Sequence, residues 1–199
     1  MINFIKLMVV VLVCLCSIVN AQTTKWKVDA LHSKVGFSVE HMMVSETEGT
    51  FDKYEATLLS DVKGFSDLKV DFTIEVASIN TRNERRDKHL RANDFFDVEK
   101  YPTITFKSTS VKKEEDNNLL ITGDLTIRNV TKEVTFSGKY KGLIEKDAFG
   151  LTRAGLVIKT TINRQDYGVV YNKNLEIGGL ALGNDVDILC KLSITKEKN

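Results

Sequence analysis

The sequence predicts an all-β fold, a closed or nearly closed antiparallel barrel with one helical insert, and three observations carry that prediction. Apolar and polar residues alternate with a period of two along eight or more segments, the mark of strands with one buried face. Several of these segments run past eight residues, a length that suits a deep barrel, and closure removes exposed strand edges. The alternation stops once, in a charged run after Thr81 that ends in Phe95-Phe96 and the only proline, Pro102. A two-sheet sandwich would show the same one-sided strands and stays as the second architecture.

Taken in order, Trp26, Val28 and Ala30 alternate with lysines and Asp29. A second strand places Val35, Phe37, Val39 and His41 on one face. A third, from Glu48 to Leu59, alternates less cleanly. From Leu68 to Ala77 the pattern is sharpest, with Leu68, Val70, Phe72, Ile74 and Val76 opposed by Lys69, Asp71, Thr73 and Glu75. Ile104 and Phe106 follow the insert, and residues 112–118 form a polar hairpin turn. Leu119, Ile121, Leu125 and Ile127 share a face, then a short turn at Arg128-Asn129 leads to Val134, Phe136 and Tyr140. Ala154, Leu156, Ile158 and Ile162 form the next face, and Val186, Ile188, Cys190, Leu192 and Ile194 the last.

Within the charged run, Thr81 and Glu84 have the capping-box spacing, which predicts a short helix from about Asn83 to Arg91. A helix inserted between strands covers something. The expectation is that it closes the side or mouth of the barrel, with Leu90, Phe95 and Phe96 turned inward and its Arg/Lys/Asp face in water.

The amino terminus reads as a secretory signal peptide over residues 1–21. A short basic start is followed by an apolar run from Leu7 toward Val19, and Val19-Asn20-Ala21 precedes Gln22. An uncleaved anchor is the other reading, but the run is short for a span of about 20 residues. Bulky Val13 and Leu15 before Cys14 and Cys16 speak against a lipoprotein signal. Cleavage after Ala21 removes Lys6, leaving 27 of the 28 Lys+Arg to face 27 Asp+Glu, and it leaves Cys190 as the sole cysteine. A neutral chain of this kind is not built for nucleic acid or for charge-driven membrane attachment, and it makes no internal disulfide. Residues 22–199 form one domain with no linker composition inside it. The expected location is periplasmic or secreted, without a stable transmembrane anchor, and a homodimer is left open.

Motifs for chemistry are scarce. His32, His41 and His89 lie on three elements with no paired metal-ligand spacing, and no nucleophile elbow, phosphate loop or dinucleotide fingerprint occurs. No metal, cofactor or catalytic residue is therefore expected. His41 sits on an apolar face, as a satisfied core histidine or a polar contact at a pocket mouth. Arg85-Arg86-Asp87-Lys88 reads as a solvated helix face, with the sharper alternative that one arginine meets an acidic head group. Asn129-Val130-Thr131 matches a glycosylation sequon, and Asn129 equally suits a turn needing a left-handed residue.

Several blocks recur in order. They are Asp29-x-x-His32-Ser33 with Val35, Phe37, Val39 and His41, Gly49-x-Phe51, Asn80-Thr81-x-Asn83-x-Arg85-Arg86-Asp87-x-His89-Leu90, and Phe95-Phe96-Asp97. Tyr101-Pro102-x-Ile104-x-Phe106, Gly123-Asp124-Leu125-Thr126-Ile127, Asn163-Arg164-x-Asp166-Tyr167-Gly168 and Gly183-x-Asp185-Val186 complete the series. Across residues 26–195 the chain resembles the YceI-like family, lipocalin-type periplasmic proteins associated with polyisoprenoid binding; Asn129 departs from the glycine the family favours there.

The resemblance implies an extended eight-stranded, lipocalin-like antiparallel barrel around an elongated apolar tunnel for a long isoprenoid or similar lipid. The residues expected to meet that ligand are Phe37, Val39, His41, Phe51, Phe72, Ile74, Arg86, His89, Leu90, Phe95, Phe96, Phe106, Leu125 and Ile127. Such a lining holds a chain without reactive groups. The alternative is an enzyme on a lipid or isoprenoid using His41, His89 or a carboxylate, and the plainest reading is a core filled by its own side chains. The role of residues 168–185 stays open.

Overall fold

The computed structural model describes residues 23–60, 64–176 and 178–197. Its strands are β1 (Thr24–Val28), β2 (Lys34–His41), β3 (Ser45–Phe51), β4 (Tyr54–Ser60), β5 (Lys69–Glu75) and β6 (Ile79–Asn80). After the helix α1 (Glu84–Leu90) come β7 (Thr103–Lys113), β8 (Asn118–Ile127), β9 (Val130–Ile144), β10 (Arg153–Asn163) and β11 (Leu182–Lys196). Strands β1, β4, β5, β7, β8, β9, β10 and β11 pair in that order, and β11 pairs back with β1. All pairings are antiparallel, so the sheet is a closed eight-stranded barrel and the sandwich is set aside.

The other three strands lengthen the wall. Strand β2 continues the line of β1 along β11, for Val28 faces Ile194 and Lys34 faces Lys191. Residues 29–33 bulge out opposite 192–193. Asp29 turns the bulge by accepting from Leu31 N–H at 3.2 Å, while Ser33 Oγ accepts from Ser193 N–H at 2.9 Å and keeps the register. Strand β3 extends β4 in the same way, and β6 extends β5.

The segment expected as one strand from Glu48 to Leu59 is therefore two strands, broken at Asp52-Lys53. The Asp52 carboxylate accepts from Thr50 Oγ1 and from Asn80 Nδ2, both at 2.8 Å, and Lys53 N–H donates to Ser78 Oγ at 3.0 Å. Side chains take over from the ladder at this point, and the alternation blurs with it.

Inward faces follow the alternation. Val70 and Phe72, Leu119 to Ile127, Leu156 and Ile162, and Cys190 to Ile194 supply buried side chains from successive strands. One end of the barrel is sealed by Trp26 and Phe65, both fully buried with ring centroids 5.4 Å apart, and by Tyr140, 5.1 Å from Phe65. The opposite end carries the β2–β3 turn, the α1 segment, the Arg128-Asn129 turn and the β10–β11 connection. In that turn Arg128, with φ of 55°, is the left-handed residue rather than Asn129.

Candidate functional site

The α1 segment sits at the open end as expected, but its cap differs from the capping-box reading. Asn83 is the N-cap and accepts from Arg86 N–H at 3.0 Å. Thr81 is instead bound to the buried Asp87 carboxylate, through its N–H at 2.9 Å and through its hydroxyl. Arg86 then donates to Thr81, from Nε to Oγ1 at 2.7 Å and from Nη2 to the carbonyl at 2.8 Å. Arg91 pins the helix end to the β5–β6 wall, donating to Ala77 O at 2.8 Å and Ile79 O at 2.9 Å.

The chain reverses after the helix, with Phe96 N–H on Leu90 O at 3.1 Å, and this turns Leu90, Phe95 and Phe96 inward while Arg85 and Lys88 stay in water; Asp87, expected on the solvated face, is buried instead by its bonds to Thr81. Phe95 is buried and its ring lies 4.7 Å from that of Tyr171. His89 stands edge-on to both, at 4.9 Å from each, and its Nε2 is 2.7 Å from Asp94. These rings form a wall across part of the open end.

Behind that wall lies a cavity of about 430 Å³, inside the range of roughly 300–1,000 Å³ usual for ligand pockets. It reaches from His41, Met42 and Lys173 at the open end down to Leu58, Leu68 and Leu192 above the Trp26–Phe65 seal. The barrel is therefore not filled end to end by its own side chains.

All fourteen sequence-predicted residues border this one space. Phe37, Val39 and His41 come from β2, Phe51 from β3, Phe72 and Ile74 from β5, Phe106 from β7, and Leu125 and Ile127 from β8. Arg86, His89, Leu90, Phe95 and Phe96 come from the α1 segment. Two glycines make room for this lining: a Cβ on Gly49 would lie 2.3 Å from Phe37 Cζ, and one on Gly123 would lie 2.7 Å from Phe106 Cζ.

A second group was not expected from the sequence. Arg164 and Tyr167 from the 3-10 turn after β10, and Val169, Tyr171, Lys173, Ala181 and Leu182 from the connection whose role stayed open, also border the cavity. Gly168, at φ of 75°, ends the short 3-10 turn over Arg164–Tyr167 and folds the chain back over the opening. Arg164 fixes that fold with Nη1 on the carbonyls of Val169, at 2.7 Å, and Tyr171, at 2.9 Å, and Nε on Gly183 O at 2.8 Å. Its pKa is held down by burial, although an arginine stays charged. The available signal was an arginine directly after an alternating apolar strand, within the Asn163-Arg164-x-Asp166-Tyr167-Gly168 block.

The cavity wall offers little chemistry. Cys190 is buried and its thiol is pushed up to about 12 by desolvation, which removes its thiolate near neutral pH. The remaining surface is aliphatic and aromatic apart from two arginines, a lysine and two histidines near the opening and two threonines.

Comparison with known proteins agrees with this architecture. The family model described as "YceI-like domain" matches residues 26–194. UPF0312 protein SA2479 of Staphylococcus aureus (strain N315) is 39% identical over 163 residues, covering 82% of this chain and 92% of that protein. Among solved structures, BcnA of Burkholderia cenocepacia superposes with a TM-score of 0.71 at 25% identity, covering 83% of this chain and 98% of that one. The Campylobacter jejuni YCEI protein gives 0.69 at 28% identity, over 80% and 90%. A polyisoprenoid binding domain from Saccharophagus degradans shares the fold alone, with a TM-score of 0.62 at 14% identity over 86% and 98%. With a family match that runs from the sealing Trp26 to Ile194 on the closing strand, the chain belongs to the YceI-like domain family.

Proposed function

We propose that this protein is an exported, non-enzymatic binding protein that holds one long apolar chain, an isoprenoid or similar lipid, in the bore of its barrel. The observation that carries the reading is the cavity itself: an elongated space sealed at one end, lined by aliphatic and aromatic side chains from most strands of the barrel. The polyisoprenoid binding domain of Saccharophagus degradans, with the same fold, supports the choice of ligand class. The apolar run toward Ala21 supports export, and a periplasmic or secreted location follows from it; that segment lies outside the described residues. Among the described residues no helix is long and apolar enough to cross a membrane.

The energetics suit a carrier. A tail that loses about 400 Å² of apolar surface gains on the order of 10 kcal/mol before ordering costs are subtracted. An apolar wall discriminates weakly between chains of similar girth, so selectivity along the tail is broad. The test is solvent extraction and mass spectrometry of the purified protein. A stoichiometric long-chain lipid is expected; repeated recovery of empty protein that also fails to take up added lipid would sink the reading. Turnover of a lipid that stops in His41→Ala or His89→Ala while binding persists would replace it with the enzyme reading.

A further inference from the structure

Arg164 is 7% exposed, lies in the cavity wall, and has no carboxylate bonded to it among the described residues. Of its five N–H groups, those on Nε and Nη1 are used by three backbone carbonyls, and Nη2 has no acceptor among the described residues. A buried guanidinium held only by carbonyl dipoles keeps its full charge uncompensated, a costly state that persists when something else supplies the counter-charge.

The rest of the cavity border points the same way. Its other ionisable side chains with nitrogen heads are His41, Arg86, His89 and Lys173, all near the open end, and no aspartate or glutamate borders the space among the described residues. The surface elsewhere mixes both signs, with ion pairs such as Lys132–Asp166 and Arg153–Asp29. Carboxylates are thus abundant on the molecule and excluded from this one wall. Arg86 already spends Nε and Nη2 on Thr81, His89 is occupied by Asp94, and Arg86 and Lys173 are exposed to water, which makes Arg164 the buried cation of this border with an unused donor.

We infer that the bore takes an acidic single-chain amphiphile, whose apolar tail lies along the barrel and whose carboxylate or phosphate oxygens meet the Arg164 guanidinium at the open end. The inference rests on the lipid-binding reading above and narrows it from any greasy chain to one with an anionic head. Arg164 Nη2 donates to one head-group oxygen while Nε and Nη1 keep the loop carbonyls. Arg86 and Lys173, which also border the cavity, add positive charge on the side from which the head group approaches.

Displacement of a neutral naphthylamine dye from the purified protein tests this, using hexadecanoic acid, hexadecyl phosphate and hexadecanol at neutral pH. Both acids are expected to bind at least about tenfold more tightly than the alcohol, the effect of one charge-assisted hydrogen bond. The tighter of the two identifies the head as carboxylate or phosphate. Arg164→Met should bring the acid-to-alcohol ratio close to one, and Arg164→Lys should keep part of it, with circular dichroism confirming that each variant is folded.

Because Arg164 also holds three carbonyls, a second measurement does not depend on the variant. On the unmodified protein, acidification that protonates hexadecanoic acid should abolish its advantage over hexadecanol while hexadecyl phosphate, the stronger acid, keeps its own. Equal binding of all three amphiphiles, or a preference that survives Arg164→Met, overturns the inference and leaves the lipid-binding reading standing. Failure of all three to displace the dye removes both.

Discussion

The ring of Phe37 occupies the space above Gly49, its cross-strand partner between β2 and β3, so closely that a Cβ there would lie 2.3 Å from Cζ and 2.7 Å from Cε1. Thr81 Cγ2, at 2.9 Å from the same point, closes the other side. Gly49→Ala therefore forces the Phe37 ring off its place against Phe51 and toward the bore. The expected cost is about 1–3 kcal/mol in urea unfolding, as for other overpacked sites, and Phe37→Leu in the same chain should recover part of it. Unchanged stability in Gly49→Ala would show that the ring has another place to go at no cost.

Acid stability should depend on Arg153, which joins three elements. From β10 it donates to Asp29 Oδ2 at 2.6 Å, Asp147 Oδ2 at 3.1 Å and Ser193 Oγ at 2.6 Å. Its hydrogen bond, aided by His32, holds the Asp29 carboxyl below the ordinary carboxylate range; backbone donation from Leu151 and then Arg153 do the same for Asp147. Lowered folded values mean that the stabilisation is complete above the unfolded carboxylate value of about 4 and is lost as pH falls through the folded ones. Thermal melts between about pH 6 and pH 2 should show this loss in the unmodified protein. Arg153→Met should lower stability at pH 6 and flatten the acid limb; parallel curves would contradict the assignment.

What the sequence made legible was whatever depends on alternation. Phe72 and Ile74, or Leu125 and Ile127, sit two residues apart on strands exposed to water on one side only, and period two alone orients them. The break at Asp52-Lys53 was not legible, and although the interruption between the first two strands was, its being a bulge along one partner strand was not, because both depend on hydrogen bonds to Asn80 and Ser193, far away in the chain. Thr81 has the spacing of a cap but is not one for a local reason: its hydroxyl is claimed by Asp87, six residues on. Beyond its place after an apolar strand, nothing in the sequence marks Arg164 as a wall residue, because its partners are backbone carbonyls, which carry no sequence signature.

Cys190 should behave as an inert core thiol until the barrel opens. With its pKa pushed up to about 12 from an ordinary 9.0, the thiolate at pH 8 is scarcer by about a thousandfold, and burial adds a steric barrier. Labelling by a charged disulfide reagent should be slow in native protein and fast in denaturant, so that the native rate reports opening of the barrel. Fast native labelling would mean that the β11 face is reached from solvent without unfolding.

Arg128 is the remaining fastener of the open end, and its loss should loosen the lid without touching the sealed end. Its Nη1 donates to Phe95 O at 3.1 Å and Gly168 O at 2.6 Å, and its guanidinium lies 5.2 Å from the Tyr101 ring. One side chain thus ties the α1 segment to the β10–β11 connection, the two pieces that fold over the cavity. Arg128→Met leaves two part-buried carbonyls without this donor, and a global destabilisation of about 1–3 kcal/mol is expected. Hydrogen exchange should rise first in residues 91–98 and 164–172, with the strands around Trp26 and Phe65 protected as before. A captured lipid should also leave faster, because the lid must open before the chain can slide out. Exchange that rises uniformly through the barrel would instead make Arg128 a general stabiliser with no special hold on the opening.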